Sequence, residues 1–208
     1  MNSLDELALK YRTDKSSAYH NYTDIYFRFF NDTKNDIHNV LELGILYGNS
    51  LRMWRDFFKN AEIYGIDINP DCVFHEERIK VLIGNQTDQD VLINLPENFD
   101  IIIDDAGHHS DEQIKSFEYL FSKLKFGGIY VVEDVCCSYW PEFNVENQQT
   151  TIEYFKGMVD HINFNGSKIN NSFRRDRSFI LESKNCNEFE KYIDYIIFAN
   201  SLIFIKKI

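Results

Sequence analysis

Residues 99–113 read FDIIIDDAGHHSDEQ, and this stretch decides how the rest of the chain is interpreted. Its three consecutive isoleucines predict a β-strand buried on both faces, as in a parallel sheet covered by helices. Asp104, Asp105, His108 and His109 follow that strand directly. Because burying an unpaired carboxylate is costly, these groups require partners, a metal ion or a ligand.

Hydrophobic patterns on either side of this stretch predict strands that alternate with helices. This alternation gives an α/β fold with a mostly parallel sheet and helices on both faces. Two apolar runs around Ala199–Asn200–Ser201 predict a C-terminal antiparallel hairpin, and Gly127–Gly128 predicts the end of the fifth helix. The predicted strands are 39–45, 62–68, 78–85, 99–105 and 129–135, and the predicted helices are 4–12, 21–32, 50–58, 88–95, 111–125 and 150–164.

Composition limits the class of protein. The chain has 208 residues and a formal net charge of −11, which argues against binding nucleic acid by neutralising phosphates. No run of about 18 apolar residues predicts a membrane span. The N-terminus resembles no signal peptide, and four cysteines without a C-x-x-C pair predict reduced thiols in a cytoplasmic protein. We expect one domain over residues 1–208, since no linker interrupts the pattern.

A glycine-bearing turn follows the first predicted strand, in LELGILYGNSL. Glu42 ends the strand, and Gly44 and Gly48 lie in the turn to a helix that is predicted to begin at a Ser50 cap. The spacing matches neither the dinucleotide fingerprint nor the phosphate loop, so a plain strand–helix turn remains an alternative. Asp67 ends the second strand about 20 residues further on, where a carboxylate can hold a ribose diol.

Several of these stretches together resemble a known family. VLELGILYGNS, IYGIDI, FDIIIDD and LKFGGIYVVEDV resemble the class I S-adenosylmethionine-dependent methyltransferases. YRTDKSSAYHNYTDIYFRFF, IGNQTD and VVEDVCCSYWPEF are similar to one branch, the metal-dependent sugar O-methyltransferases of macrolide biosynthesis and their relatives in polysaccharide gene clusters. The resemblance implies a Rossmann-like, seven-stranded sheet with a terminal hairpin. It also implies that residues 1–36 form a helical segment covering the active site.

The resemblance also implies a binding site for S-adenosylmethionine. The glycine turn would flank its methionine portion, with Glu42 near the amino group, and Asp67 would bind the ribose. Residues after the third strand would surround the adenine. Asp104 has a second interpretation, as a structural group bonded to nearby backbone. The implied cofactor-binding residues are Glu42, Gly44, Gly48, Ser50, Asp67, Asn85, Gln86, Asp88 and Asp104.

The acids after the fourth and fifth strands predict a metal site. Asp105, Glu133 and Asp134 would hold Mg²⁺ or another divalent cation, as the resemblance implies. Independently, three carboxylates at one sheet edge would repel one another, and a hard cation with oxygen ligands relieves that repulsion. Solvated acids without a metal are the alternative. His108 is the predicted catalytic base, acting with Asp105 on an acceptor hydroxyl.

The acceptor is predicted to be a sugar hydroxyl on a small molecule or glycan. Each candidate contact has an alternative: core packing for Tyr139 and Trp140, a helix cap or solvent for His109, and the surface for His20. We predict either a phosphate-binding site or a solvated loop at Arg174, Arg175 and Arg177. A catechol-like phenol, an amine or a phosphate-derived acceptor remains open, as do a non-catalytic binding domain and homo-oligomerisation.

Overall fold

A computed structural model describes residues 1–143, 148–169 and 189–208. Its regular elements alternate along the chain as the sequence pattern predicts. The strands are β1 (Asn39–Leu43), β2 (Glu62–Asp67), β3 (Ile79–Ile83), β4 (Phe99–Asp104), β5 (Leu124–Val132), β6 (Ile193–Ala199) and β7 (Leu202–Lys207). The helices are α1 (Ser3–Tyr11), α2 (Thr23–Phe30), α3 (Asn49–Phe57), α4 (Gln89–Leu92), α5 (Ser110–Leu120) and α6 (Thr151–Ile169).

The strands form one seven-stranded sheet in the order β3-β2-β1-β4-β5-β7-β6. The first five strands pair in parallel, and β7 lies antiparallel between β5 and β6. This arrangement confirms the predicted α/β class with a mostly parallel sheet and an antiparallel C-terminal hairpin. The strand order reverses at β1 and β4, so the carboxyl ends of these two strands flank the switch point where such sheets bind ligands.

The isoleucines of β4 explain why the sheet is covered on both faces. Ile101 and Ile103 pack in one apolar core, with side chains from α1, α2 and α3. Ile102 points to the other face and packs with side chains from α4, α5 and α6. All three isoleucines are fully buried, as the alternation of side chains along a doubly covered strand requires. In the described part of the chain, no helix has the length and apolar character that a membrane span needs.

The boundary between α5 and β5 differs from the prediction. The helix predicted over residues 111–125 ends at Leu120, and a 3₁₀ turn leads into β5. Leu124 pairs with Phe99 on β4, ahead of a shift in the strand register. The strand therefore runs through Gly127–Gly128, and the prediction that these glycines end the helix was wrong. Pairing with β4 outweighs the local helical preference of this segment.

Residues 1–36 reach the carboxyl edge of the sheet through a hydrogen-bonded loop between α1 and α2. Asn2 caps α1 by accepting hydrogen bonds from two backbone N–H groups. The Asp5 carboxylate accepts hydrogen bonds from the Ser17 backbone and hydroxyl and from the Thr23 hydroxyl. These bonds hold the intervening loop against α1, and Lys15 in that loop is buried.

Candidate active site

A cavity of about 690 Å³ lies at the carboxyl ends of the parallel strands. Its volume falls within the range of small-ligand pockets, about 300–1,000 Å³. The turns after β1 to β5 line it together with the loop that follows α1. The lining residues relevant to the predictions are Arg12, Asp14, Gly44, Asn49, Ser50, Asp67, Asn85, Gln86, Asp105, His108, Glu112 and Asp134.

The two glycines after β1 are required by close contacts. Gly44 has a φ of +87°, and a Cβ there would lie 2.2 Å from the backbone oxygen of Asp105. Gly48 has a φ of +72°, and a Cβ there would meet the Phe74 ring at 2.3 Å. Gly48 is also the N-cap of α3, which begins at Asn49, so the predicted cap at Ser50 was wrong. Gly44 thus brings the turn after β1 against the end of β4, and Gly48 brings it against Phe74.

Gly44→Ala should therefore lower the free energy of unfolding by about 2 kcal/mol or more, because a positive φ and a backbone collision are both imposed. Urea denaturation measures this loss. The matched control is Gly157→Ala in α6, where nothing lies within 4 Å of an added Cβ. That control should be neutral or stabilising by up to about 1 kcal/mol. Equal stability of the two variants would contradict the account of the turn.

Asp67 joins the turn after β1 to the end of β2. Its Oδ2 accepts hydrogen bonds from the backbone N–H of Ile45 at 2.8 Å and of Leu46 at 3.1 Å. Its Oδ1 accepts one from Asn69 at 2.9 Å. Burial opposes ionisation, but these donors hold the pKa of Asp67 below its ordinary value. Asp67 thus stays ionised on the cavity wall, at the position predicted for a ribose contact.

The turn after β3 supplies two predicted residues to the cavity, Asn85 and Gln86. Gln86 is buried, and its Oε1 accepts a hydrogen bond from the Gly107 backbone at 3.0 Å. Its Nε2 donates to Ser116 Oγ at 3.0 Å. Asn85 Oδ1 accepts from the backbone N–H of Thr87 at 2.8 Å, which fixes the turn. The walls after β3 and β4 are therefore held together by side-chain bonds.

Four predicted cofactor contacts are not among the residues that line the cavity: Glu42, Gly48, Asp88 and Asp104. Asp88 caps α4 by accepting from the Asp90 backbone. Asp104 is fully buried and accepts from Tyr130 Oη at 3.3 Å, and burial raises the pKa of Asp104 to about 8. Glu42 is also fully buried, and burial raises the pKa of Glu42 to about 7. Glu42 and Asp104 lie within strands, where alternation turns their side chains toward the faces of the sheet.

A buried lysine that the sequence prediction missed sits among the acids. Lys15 is 1% exposed, and its Nζ contacts Asp105 Oδ2, Glu133 Oε2 at 2.8 Å and Glu42 Oε1 at 3.4 Å. Burial alone would lower the pKa of Lys15, but the three carboxylates raise it well above its ordinary value. Lys15 therefore stays charged. We call these four residues the Lys15 cluster.

The predicted metal ligands fall into two groups. Glu133 belongs to the Lys15 cluster, and its second oxygen accepts a hydrogen bond from Tyr26 Oη at 2.5 Å. Asp105 belongs to both groups: with His108 and Asp134 it offers ligand atoms within 4.8 Å of one another at the cavity, and with Glu42 and Glu133 it forms a second such set that is more deeply buried. The set that faces the cavity thus contains His108 where Glu133 was predicted. The difference arises because both oxygens of Glu133 already have donors from the N-terminal segment.

The partly exposed group suits a hard divalent cation. Two carboxylates supply oxygen ligands, and their open side leaves room for water or acceptor oxygens. His108 Nε2 lies 3.7 Å from Asp134 Oδ2, and its buried Nδ1 has no hydrogen-bond partner in the described part of the chain. His108 and Asp134 have φ angles of 56° and 53°. Such strained backbone persists where the surrounding structure fixes it, and it is concentrated at functional sites.

Two comparisons bear on the family. The sequence profile of a methyltransferase domain family matches residues 41–135, which include β1, β4, Glu133 and Asp134. The MycE methyltransferase of the mycinamycin biosynthetic pathway, solved in complex with Mg and SAH, superposes with a TM-score of 0.82. Its sequence is 30% identical, and the match covers 99% of this chain and 54% of that one. The chain belongs to the class I methyltransferases. The predicted family and fold are confirmed.

Two curated relatives of this chain are named as O-methyltransferases. Demethylmacrocin O-methyltransferase of Streptomyces fradiae and mycinamicin VI 2''-O-methyltransferase of Micromonospora griseorubida are each 36% identical over 174 residues. Each match covers 76% of this chain and 44% of the relative. The chain thus spans less than half the length of these curated relatives. MycE has also been solved with Mg, SAH and mycinamycin VI.

An aromatic group lies beside His108, although its members are not among the residues that line the cavity. Phe143, which sequence reasoning missed, lies 5.4 Å from the His109 ring and 5.8 Å from the Trp140 ring, measured between centroids. Its ring is 6.4 Å from that of His108. Tyr139 and Trp140 are 75% and 48% exposed, so core packing does not account for them. We call Tyr139, Trp140 and Phe143 the aromatic rim.

Two further acceptor predictions have different outcomes. His20 is exposed and stacks on Tyr22 with ring centroids 5.2 Å apart, and Tyr22 Oη donates to Asp134 Oδ1 at 2.5 Å. His20 thus lies one ring away from a cavity carboxylate without lining the cavity. The phosphate-binding site predicted at Arg174, Arg175 and Arg177 lies outside the described residues.

Proposed function

We propose that this chain catalyses transfer of a methyl group from S-adenosylmethionine to a sugar hydroxyl, with Mg²⁺ as a required ion. The observation that carries the proposal is the meeting of His108, Asp105 and Asp134 at one end of a cofactor-sized cavity. A base and two carboxylates at that point suit deprotonation of a hydroxyl. Another relative supports the same acceptor class, because its name, 8-demethyl-8-alpha-L-rhamnosyl tetracenomycin-C 2'-O-methyltransferase, specifies O-methylation of a rhamnosyl-bearing product.

The cavity suits S-adenosylmethionine in size and charge. An ionised Asp67 can accept hydrogen bonds from the ribose hydroxyls, and Asn85 and Gln86 stand at the wall predicted for the adenine. Five carboxylates line the cavity, and they favour a ligand that carries a sulfonium and an ammonium. The acidic lining residues are Asp14, Asp67, Asp105, Glu112 and Asp134.

Asp105 and Asp134 would hold the magnesium ion, since their oxygens face the cavity and converge. Magnesium supplies a positive charge that lowers the pKa of an acceptor hydroxyl beside it. Glu133 does not line the cavity, and its two oxygens accept hydrogen bonds from Lys15 and Tyr26. Burial raises the pKa of Asp105, and the charge of Lys15 opposes that rise by favouring the carboxylate form.

His108 takes the proton from the acceptor hydroxyl. His108 lines the cavity, and its Nε2 lies 3.7 Å from Asp134 Oδ2, so the imidazole stands beside the carboxylates where the hydroxyl would bind. The acceptor oxygen bonds to the methyl carbon as the carbon–sulfur bond breaks, and S-adenosylhomocysteine leaves. The cavity walls contribute by holding the oxygen and the methyl carbon about 3 Å apart and in line.

The aromatic rim is the proposed surface for the acceptor's sugar ring. Exposed aromatic faces beside a polar centre bury the apolar side of a ligand while the polar groups orient it. Phe143 lies between His108 and Trp140, so a ring placed on the rim has hydroxyls near the base. The proposed acceptor is a small molecule or a glycan, and the proposed location is the cytoplasm.

The test is a methyl-transfer assay with S-adenosylmethionine and a panel of glycosides, monitored by mass spectrometry. With Mg²⁺ present, at least one glycoside should gain a methyl group, and excess EDTA should abolish the gain. Added Mg²⁺ should restore it. Undiminished transfer in EDTA would contradict the role of the metal. Methylation of catechols or amines, with none of the glycosides, would assign a different acceptor.

A further inference from the structure

The predicted cofactor contacts leave the cation Arg12, which lines the cavity, without a role. Arg12 is the C-cap of α1 with a φ of 58°, and its backbone N–H bonds to the carbonyls of Ala8 and Leu9. Its own carbonyl accepts a hydrogen bond from Asn49 Nδ2 at 3.5 Å. Arg12 is therefore placed between the end of α1 and the beginning of α3.

Charge sets Arg12 apart from its neighbours. Among the described residues that line the cavity, it is the one Lys or Arg, beside five carboxylates. No described acid forms an ion pair with its guanidinium, whereas Lys15 is committed to three carboxylates and is 1% exposed. A guanidinium keeps its charge and offers a planar fork of donors that matches a carboxylate.

The position of Arg12 identifies which part of the ligand it faces. The walls after β2 and β3 carry Asp67 and Asn85, and the methyl-transfer end carries His108. The remaining wall consists of the loop after α1 with Gly44 and Asn49. Asn49 is the first residue of α3, a nine-residue helix, and the positive end of the helix dipole favours an anion there.

We propose that Arg12 binds the α-carboxylate of the cofactor's amino-acid portion. This inference rests on the proposed function, since it assumes that S-adenosylmethionine occupies the cavity. That ligand has one anionic group, which five acidic lining residues would repel. Arg12 and the N-terminal end of α3 supply the compensating charge. The assignment concerns the carboxylate, which is a different group from the amino group predicted to lie near Glu42.

Calorimetric titration with two ligands tests this role. S-adenosylhomocysteine carries the carboxylate, and 5′-methylthioadenosine lacks the whole amino-acid end. Arg12→Gln should weaken binding of S-adenosylhomocysteine by about 10- to 100-fold, the usual effect of losing a charge-assisted hydrogen bond. Binding of 5′-methylthioadenosine should be unchanged. Arg12→Lys, which keeps the charge without the fork, should fall between Arg12→Gln and the wild type.

Arg28→Gln is the matched control, because Arg28 is an exposed residue of α2 that pairs with Asp24. It removes the same charge from the chain and should leave both affinities unchanged. If Arg12→Gln weakens the binding of both ligands equally, or of neither, the proposed role of Arg12 is overturned while the proposed function stands. Failure of the folded wild type to bind either ligand would overturn the proposed function and this inference with it.

Discussion

His108→Asn is expected to lower methyl transfer by about 10²- to 10⁴-fold, the usual contribution of a general base. Asparagine tolerates the left-handed backbone at this position, where φ is 56°, so the turn after β4 should be retained. The variant has no group that can take the hydroxyl proton. Its affinity for S-adenosylhomocysteine should therefore match that of the wild type.

Single-turnover kinetics measure the rate of methyl transfer by His108→Asn, and calorimetric titration measures its affinity for S-adenosylhomocysteine. His38→Asn is the matched control, because His38 precedes β1 at the opposite edge of the sheet and is exposed. It should leave both quantities unchanged. A His108→Asn enzyme with the wild-type rate would eliminate His108 as the base. A variant that lost ligand binding to the same extent as activity would indicate a structural role instead.

Lys15→Met should lower the free energy of unfolding by about 3–5 kcal/mol. Removing one partner from a buried ionic group leaves the other charges without compensation, and the cost is of that order. Here the remaining groups are Glu42 and Glu133, which are almost fully buried, and Asp105. Methionine matches the length of lysine, so the loss should reflect the missing charge rather than a large cavity.

Urea denaturation of Lys15→Met and Lys10→Met measures the contrast. Lys10 lies five residues earlier and pairs with Asp56, but its side chain is 59% exposed. Exposed ion pairs contribute little to stability, so Lys10→Met should leave the free energy of unfolding almost unchanged. Equal losses in the two variants would show that the Lys15 cluster does not stabilise the edge of the sheet on which the site is built.

The features predicted correctly from the sequence depend on local pattern. The isoleucines of β4 alternate between two apolar cores, and the C-terminal hairpin follows from two apolar runs close to one another in the chain. The helix predicted over residues 111–125 was wrong at its end because Leu124 pairs with Phe99, a contact that helical preference does not encode. Topology rather than propensity decides such boundaries.

The division of the acids could not be predicted because it depends on distant residues. Lys15 and Glu133 are 118 residues apart in sequence, yet their side chains meet at the sheet edge. Lysine is almost never fully buried unless it is paired, so a single lysine in a polar stretch gave no signal. Adjacent Glu133 and Asp134 point to different partners, since Glu133 meets Lys15 and Tyr26 while Asp134 faces His108.

The most direct test of the central claim, that the cavity at the carboxyl edge binds S-adenosylmethionine, is calorimetric titration with S-adenosylhomocysteine. We expect micromolar binding by the wild type and its loss in Asp67→Ala, with the variant's folding checked by urea denaturation. Folded wild-type protein that fails to bind, or equal binding by folded Asp67→Ala, would contradict the assignment of this cavity.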